Sequence, residues 1–414
     1  MLSQVCKEAI VGPLRHAIGD PTRFEPIVAP DVWFPITNVA PKRDIMGNAA
    51  DGVYTGGNGQ YRQITPTDWE YVAAATEGRC GELGCLFESA MTNLAHNGVN
   101  MGASADWSGV NSFSITQTTG PDSGQSHGNQ VIVSMTDPGG VGIEWNNPNT
   151  AAFQTVSVLV YVPSSIRDSG TQDYKVRISN QTDADHHDFD VKGYDAWYRY
   201  EYSWAAAQTA GDEVRIMVIP KSGNIEASAT VTFACVCITA DVTGNTEAAP
   251  GPFPNPNDAD LTTTGGLLTL GTDALPTDPT ADFSIAYEYQ VLWLETNLRI
   301  FQADYTSNFI AKQLSNGNTS FTYAAHDIGT GASGYSEGDW AQVLVTFDAS
   351  AAEICFFLDG VLIAQIGSIG AFTEGTPSKL VIGSNVSSNA QQPEGFIRNY
   401  RMWNQRLERW SQAY

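Results

Sequence analysis

Charge is scarce in this sequence, and what there is has mostly one sign. Only 16% of the 414 residues are Asp, Glu, Lys or Arg, and 45 acidic against 21 basic residues leave a formal net charge of −24. Phosphate backbones and anionic lipid surfaces repel such a chain, which argues against nucleic-acid and membrane partners. The acidic excess reads as a soluble surface that resists aggregation at high local concentration. Long apolar runs are missing too: none approaches the ~20 residues that cross a bilayer. Met1 to Ile10 lacks the basic-then-apolar order of a secretory signal, so the expectation is a protein made and retained in a cytoplasm or released by lysis.

Cysteine is equally sparse, with six in the chain and no staple framework. Cys235 and Cys237 alternate in Phe-Ala-Cys-Val-Cys-Ile and so share one strand face as small buried hydrophobes, and Cys355 sits similarly. Cys80 and Cys85 flank Gly-Glu-Leu-Gly and would close a short loop if oxidised, but a cytoplasmic history favours free thiols. No zinc-ligand spacing and no cofactor motif is read. Asp183 to Asp190, with His186 and His187, concentrates possible metal ligands, yet it falls between two strand patterns and reads as a solvated loop.

Catalytic signatures are absent as well. There is no Gly-x-Ser-x-Gly elbow, no His-Glu-x-x-His and no phosphate-binding glycine loop. Glycoside hydrolysis with retention needs two carboxylates ~5 Å apart. Glu288 and Glu295, near Trp293, are the nearest pair, but their spacing puts them on opposite strand faces. The chain reads as a non-enzyme.

What the sequence does have is strand after strand. Hydrophobic residues make up 42%, and Thr, aromatics, Gly and Asn dominate the rest, the composition of all-β proteins with many turns. Residues 1–18 carry a short helical pattern that Pro13 interrupts. Residues 19–92 are irregular, the kind of segment that folds against a partner or a neighbouring domain. From about residue 93 short apolar or alternating runs recur with no helix between them, which predicts antiparallel sandwich packing. Four prolines within residues 250–256 read as a stiff spacer. A second β pattern follows, with Asp359-Gly360 as a tight type I′ hairpin turn. The expected architecture is all-β: an arm over 1–92 with a short helix, a jelly roll over 93–247, a linker over 248–257 and a second sandwich over 258–414.

Two resemblances sharpen that outline. Asp339 to Asp348, Phe357-Leu358-Asp359-Gly360-Val361, Leu380-Val381-Ile382-Gly383 and Gly395 to Leu407 follow one another in the order of the concanavalin A-like, laminin G-like jelly roll. In that family the last block ends in an Asn-x-x-Leu turn, here Asn404 to Leu407. Gly81 to Leu94, containing Glu88 and Thr92-Asn93-Leu94, resembles a block of tailed-bacteriophage structural proteins that precedes a carbohydrate-binding-module-like jelly roll. Asp106-Trp107 and Trp197-Tyr198-Arg199-Tyr200 resemble elements of the same proteins. These resemblances imply a virion fibre or capsid decoration: an attachment arm that docks on other virion proteins, two lectin-like domains facing host-surface glycan, and a homo-oligomer with a trimer favoured. A soluble carbohydrate-binding lectin, or the non-catalytic module of a glycoside-active enzyme, is the alternative.

Sugar contact needs exposed aromatics beside Asn, Asp or Gln. Trp145 with Asn146 and Asn147 has that character, as does the loop carrying Asn385, Asn389 and Gln392. The stretch from Trp197 to Trp204 holds five aromatics in eight positions. As a strand it puts Tyr198, Tyr200, Tyr202 and Trp204 on one face, best placed in a core, and Trp197, Arg199, Glu201 and Ser203 on the other. Trp197 with Arg199 remains either a sugar contact or a surface that packs on a neighbouring subunit.

Overall fold

Alternating apolar residues bounded by Gly, Asn, Asp and Pro produce strands and little else. The computed structural model describes residues 30–34, 53–55, 60–65, 67–73, 80–81, 84–87, 92–111, 114–132, 140–147, 152–167, 173–181, 185–222, 230–239, 254–262, 265–291, 298–305, 308–313, 319–324, 326–329, 338–370, 372, 377–384 and 395–414. Among them every strand pairing is antiparallel, and helical structure is limited to single 3-10 turns such as Trp410–Gln412. The all-β sandwich expectation holds. The short helix expected within residues 1–18 lies outside the described residues.

The chain divides into two compact units. One takes residues 59–73 and 90–263, the other residues before 59, residues 74–89 and residues 264–414. The strands of the first ninety residues are therefore shared between both.

In the 90–263 unit two five-stranded sheets face each other. One runs Trp197–Ser203, Thr155–Tyr161, Thr230–Thr239, Gly128–Ile132, Ile115–Thr118, and the other Asp185–Asp190, Tyr174–Asn180, Val214–Pro220, Val141–Trp145, Trp107–Val110. Inward residues of both sheets, among them Val131, Ile143, Val158, Val176, Tyr200 and Phe233, make one buried core. A bulge in Thr230–Thr239 opposite Ser157 to Leu159 carries Cys235 at φ 52. The extra residue puts the consecutive Ala234 and Cys235 on the same outward side as Leu159, and Cys235 and Cys237 are both fully buried. The hairpin of Gln60–Gln63 and Trp69–Val72 belongs to this unit, and Tyr61 and Trp69 pack with Leu159, Ala234 and Cys235.

The 264–414 unit is a larger sandwich. Its first sheet runs Val361–Ile366, Glu353–Leu358, Trp340–Asp348, Phe283–Val291, Gly395–Trp403, Gly84–Phe87, Cys80–Gly81, with Val32–Phe34 also paired to Gly395–Trp403. Its second runs Val53–Thr55, Leu267–Leu270, Leu380–Ile382, Leu298–Ala303, Phe309–Gln313, Thr319–Tyr323, His326–Gly329. Phe283, Tyr287, Phe301, Phe321 and Tyr400 are among the rings buried between them. The Asp359-Gly360 turn is as expected: both residues have positive φ, at 47 and 82, and Leu358 pairs directly with Val361. Free thiols were expected, but Cys85 is disulfide-bonded and lies opposite Cys80 in the strand register.

Candidate functional site

On the first sheet of the 264–414 unit, strand alternation decides what faces away from the core. Phe283, Ile285, Tyr287 and Tyr289 point inward, so Ser284, Ala286, Glu288 and Gln290 point outward. Part of this outward face is covered by the segment after Trp403. Leu407, Ala413, Trp410 and Tyr414 pack there on Ala286, Leu344, Cys355 and Phe357. The Tyr414 hydroxyl donates to the carbonyls of Tyr287 and Val343, at 2.9 and 3.0 Å. Leu407 N–H donates to Ser284 Oγ at 2.8 Å, which anchors the Asn-x-x-Leu turn.

Beyond this cover the face becomes polar and aromatic. Glu288 stands in register with Gln342 on one side and Arg398 on the other, and Gln290 opposite Trp340. A bulge separates Ala286 from Glu288 in the pairing with Gly395–Trp403, and Asn399 sits in it at φ 54. Consecutive strand residues normally point to opposite faces. Here the extra residue turns both Arg398 and Asn399 toward one carboxylate. Arg398 Nε donates to Glu288 Oε2 at 2.7 Å, and Asn399 Nδ2 donates to Oε1 at 3.0 Å. The Arg398 guanidinium lies 3.9 Å from the centre of the half-buried Trp340 indole. Gln290 Nε2 donates to the Gly338 carbonyl at 2.7 Å. The result is a held array in which Trp340, Arg398 and Gln290 are partly exposed, supported from beneath by the buried Glu288 and Asn399. It suits hydrogen-bonded recognition of hydroxyl-rich rings, since an indole offers an apolar platform and planar donors fix orientation.

Glu288 is enclosed within this array. Its side chain is 6% exposed and both oxygens are engaged by Arg398 and Asn399. Glu295 lies outside the described residues.

The candidates read from the sequence separate in space. Trp145 is fully buried, edge-to-face on Phe153 at 6.2 Å and in register with Trp107. It belongs to the core and has no face for a sugar, a correction to the sequence reading. Asn147 is buried at φ 44, and its amide donates to the Asp212 carbonyl. Asn146 is half-exposed and donates to the Ala105 carbonyl. Asn385, Asn389 and Gln392 lie outside the described residues.

The aromatic strand resolves as its alternation demands. Tyr200 and Trp204 are buried in the sandwich core, with Tyr198 and Tyr202 packed against it. Burial pushes the Tyr200 phenol up to about 12. On the other face Trp197 is half-buried against Tyr161 at 5.7 Å, and Trp69 Nε1 donates to its carbonyl at 3.4 Å. The hairpin 60–72 of the same unit therefore meets the face that the sequence left to a sugar or a neighbouring subunit. Arg199 pairs with Glu201 at 2.9 Å.

Residues 185–190 form an edge strand rather than a loop. Their alternation places His187 on Tyr202, stacked at 4.7 Å, and Asp188 on Arg177, at 2.6 Å. That arrangement spends the acidic stretch on cross-strand pairing. A different set is drawn together elsewhere in the 90–263 unit. His96, Asp106 and Asp258 each bring one ligand atom within 4.8 Å of the others. No spacing in the sequence signals it, because its members come from segments about 150 residues apart.

Comparison with known proteins bears on the C-terminal sandwich. Residues 261–409 match the family model of the concanavalin A-like lectin/glucanases superfamily. That region is the larger antiparallel sandwich described above, as expected for a concanavalin A-like fold. The match spans about a third of the chain. Distant partial likenesses include the CBM40 of the Ruminococcus gnavus IT-sialidase bound to alpha2,3 sialyllactose, at 12% identity over 31% of this chain and 79% of that one, TM-score 0.28. The native heptameric SAP-like pentraxin of Limulus polyphemus follows at 14% identity, 30% and 65% coverage, TM-score 0.25. The binding domain of botulinum neurotoxin serotype C1 has 16% identity, 34% and 38% coverage, TM-score 0.27. No curated protein matches the sequence.

Proposed function

We propose that this chain is a non-catalytic display protein whose lectin-like sandwich contacts glycan, carried on a bacteriophage particle as a fibre or capsid decoration. The observation that carries the glycan reading is the Trp340–Arg398–Glu288–Asn399 array, built by a bulge on the outward face of the sandwich that matches a lectin superfamily. Glu288 acts there as the anchor that orients Arg398 and Asn399. An uncharged glycan suits the site, because Arg398 and Glu288 neutralise each other there and the protein as a whole is acidic. The phage setting rests on the block from Gly81 to Leu94 and on the tandem sandwiches. In that setting the part of the N-terminal arm not paired into the sandwiches docks on other virion proteins, and the particle copy is a homo-oligomer, a trimer being favoured.

The same site serves a soluble lectin or the binding module of a glycoside-active enzyme, and the superfamily match favours that reading equally. Two experiments test the proposal. The full chain is expected to bind a subset of glycans on an array, and an array with no signal contradicts glycan contact. Mass spectrometry of purified phage particles is expected to find the protein; its absence would leave the soluble lectin.

A further inference from the structure

We propose that His96, Asp106 and Asp258 bind a divalent transition-metal ion that staples the segment entering the 90–263 unit to the segment leaving it. Four observations support this. One ligand atom from each residue lies within 4.8 Å of the others. The His96 ring is 3% exposed and is held through Nε2 by Asp260 Oδ1 at 2.8 Å. A carboxylate on a buried imidazole is the usual outer support of a metal-ligating histidine, fixing ring orientation and raising basicity. Asp106 Oδ2 is buried and has no hydrogen-bond partner among the described residues. A buried carboxylate oxygen left without a donor is costly, and a cation relieves that cost. Finally, Asp258 receives Asn97 Nδ2 at 3.0 Å, and neither it nor Asp106 has a lysine or arginine partner among the described residues. Three carboxylates thus converge on one imidazole with no protein cation recorded beside Asp106 or Asp258.

The donor set selects the ion. All-oxygen cages suit Ca²⁺ and Mg²⁺, whereas imidazole nitrogen with carboxylate oxygen suits Zn²⁺ or Mn²⁺. The position selects the role. Thr92–Asn93 pairs with Leu261–Thr262, Asn97 N–H donates to the Asn257 carbonyl at 2.9 Å, and Asn255 Nδ2 donates to the Asn93 carbonyl at 3.3 Å. An ion shared by His96, Asp106 and Asp258 closes the whole sandwich as one long loop. Binding only the folded form, it stabilises in proportion to its occupancy.

The test is calorimetric titration of ZnCl₂, MnCl₂ and CaCl₂ into the EDTA-stripped full chain, with thermal melts at each end point. One equivalent of Zn²⁺ or Mn²⁺ is expected to bind and to raise Tm. His96→Ala removes a buried ring and can unfold the unit by itself, so Asp258→Asn and Asp106→Asn carry the comparison. Each is expected to weaken binding about tenfold or more while the metal-free Tm stays near that of the parent. The proposal is overturned by no binding of any of the three ions, by binding of Ca²⁺ alone, or by Zn²⁺ and Mn²⁺ binding that survives both substitutions.

Discussion

Tyr200 shows how one residue in the aromatic run is used. Its ring is 1% exposed, its hydroxyl accepts the Lys192 N–H at 2.9 Å, and the Lys192 ammonium lies 5.1 Å from the ring centre. Truncation to Ala removes the ring and leaves a cavity, so Tyr200→Ala is expected to cost about 3–5 kcal/mol by analogy with other buried aromatics. A urea melt close to that of the parent protein would contradict the placement. The face was legible from alternation alone, since the four rings at even positions exclude both charges. Trp145 was not legible in the same way. A tryptophan followed by Asn-Asn has the composition of a sugar site and of a strand end alike, and only the register with Trp107 and the contact with Phe153 distinguish them. Asn399 was invisible for a related reason: its left-handed φ and the bulge it sits in depend on pairing with Phe283–Val291.

At the scale of elements, the strand Asp185–Asp190 carries a pH dependence. A hydrogen bond from Arg177, with Lys175 adding to it, holds the Asp188 carboxyl below the usual carboxylate range. A carboxyl depressed in the folded state contributes fully above its unfolded value, near 4, and loses that contribution as pH falls through the folded one. Asp188→Asn is therefore expected to be less stable than the parent by about 1 kcal/mol at pH 7. The gap should close as pH drops below ~4, and paired melts at neutral and acid pH that show an equal gap would contradict the ion pair. The sequence reading made these residues a loop because the polar run Asp185 to Asp188, between two strand patterns, resembles a turn. An edge strand with one wet face has the same polarity, and its partner Tyr174–Asn180 supplies the alternation. The Asp359-Gly360 hairpin was read correctly because its signal is local: positive φ at both turn positions is a property of those two residues.

For the whole molecule, long-range pairing decides what a domain is. The strands Val32–Phe34 and Gly84–Phe87 both pair with Gly395–Trp403, and Val53–Thr55 pairs with Leu267–Leu270. Phe87 is 1% exposed in the core of that sandwich, and a side chain at Gly383 would meet its ring at 2.1 Å. A fragment of residues 258–414 lacks these strands and leaves Gly395–Trp403 as an open edge. It is expected to aggregate or to melt well below the full chain on size exclusion and thermal scans; a monodisperse fragment melting with the full chain would contradict the pairing. Such pairings leave no local trace in a sequence, which is why the four C-terminal motifs were readable and their N-terminal partners were not. The central claim is that glycan contact sits on the outward face around Trp340. Its most direct measurement is titration of the parent protein, Trp340→Ala and Trp197→Ala against one immobilised glycan found on the array. The account predicts that Trp340→Ala loses most of the binding while keeping the parent melting temperature, and that Trp197→Ala keeps it. Binding that survives Trp340→Ala, or that is lost only with Trp197→Ala, would contradict it.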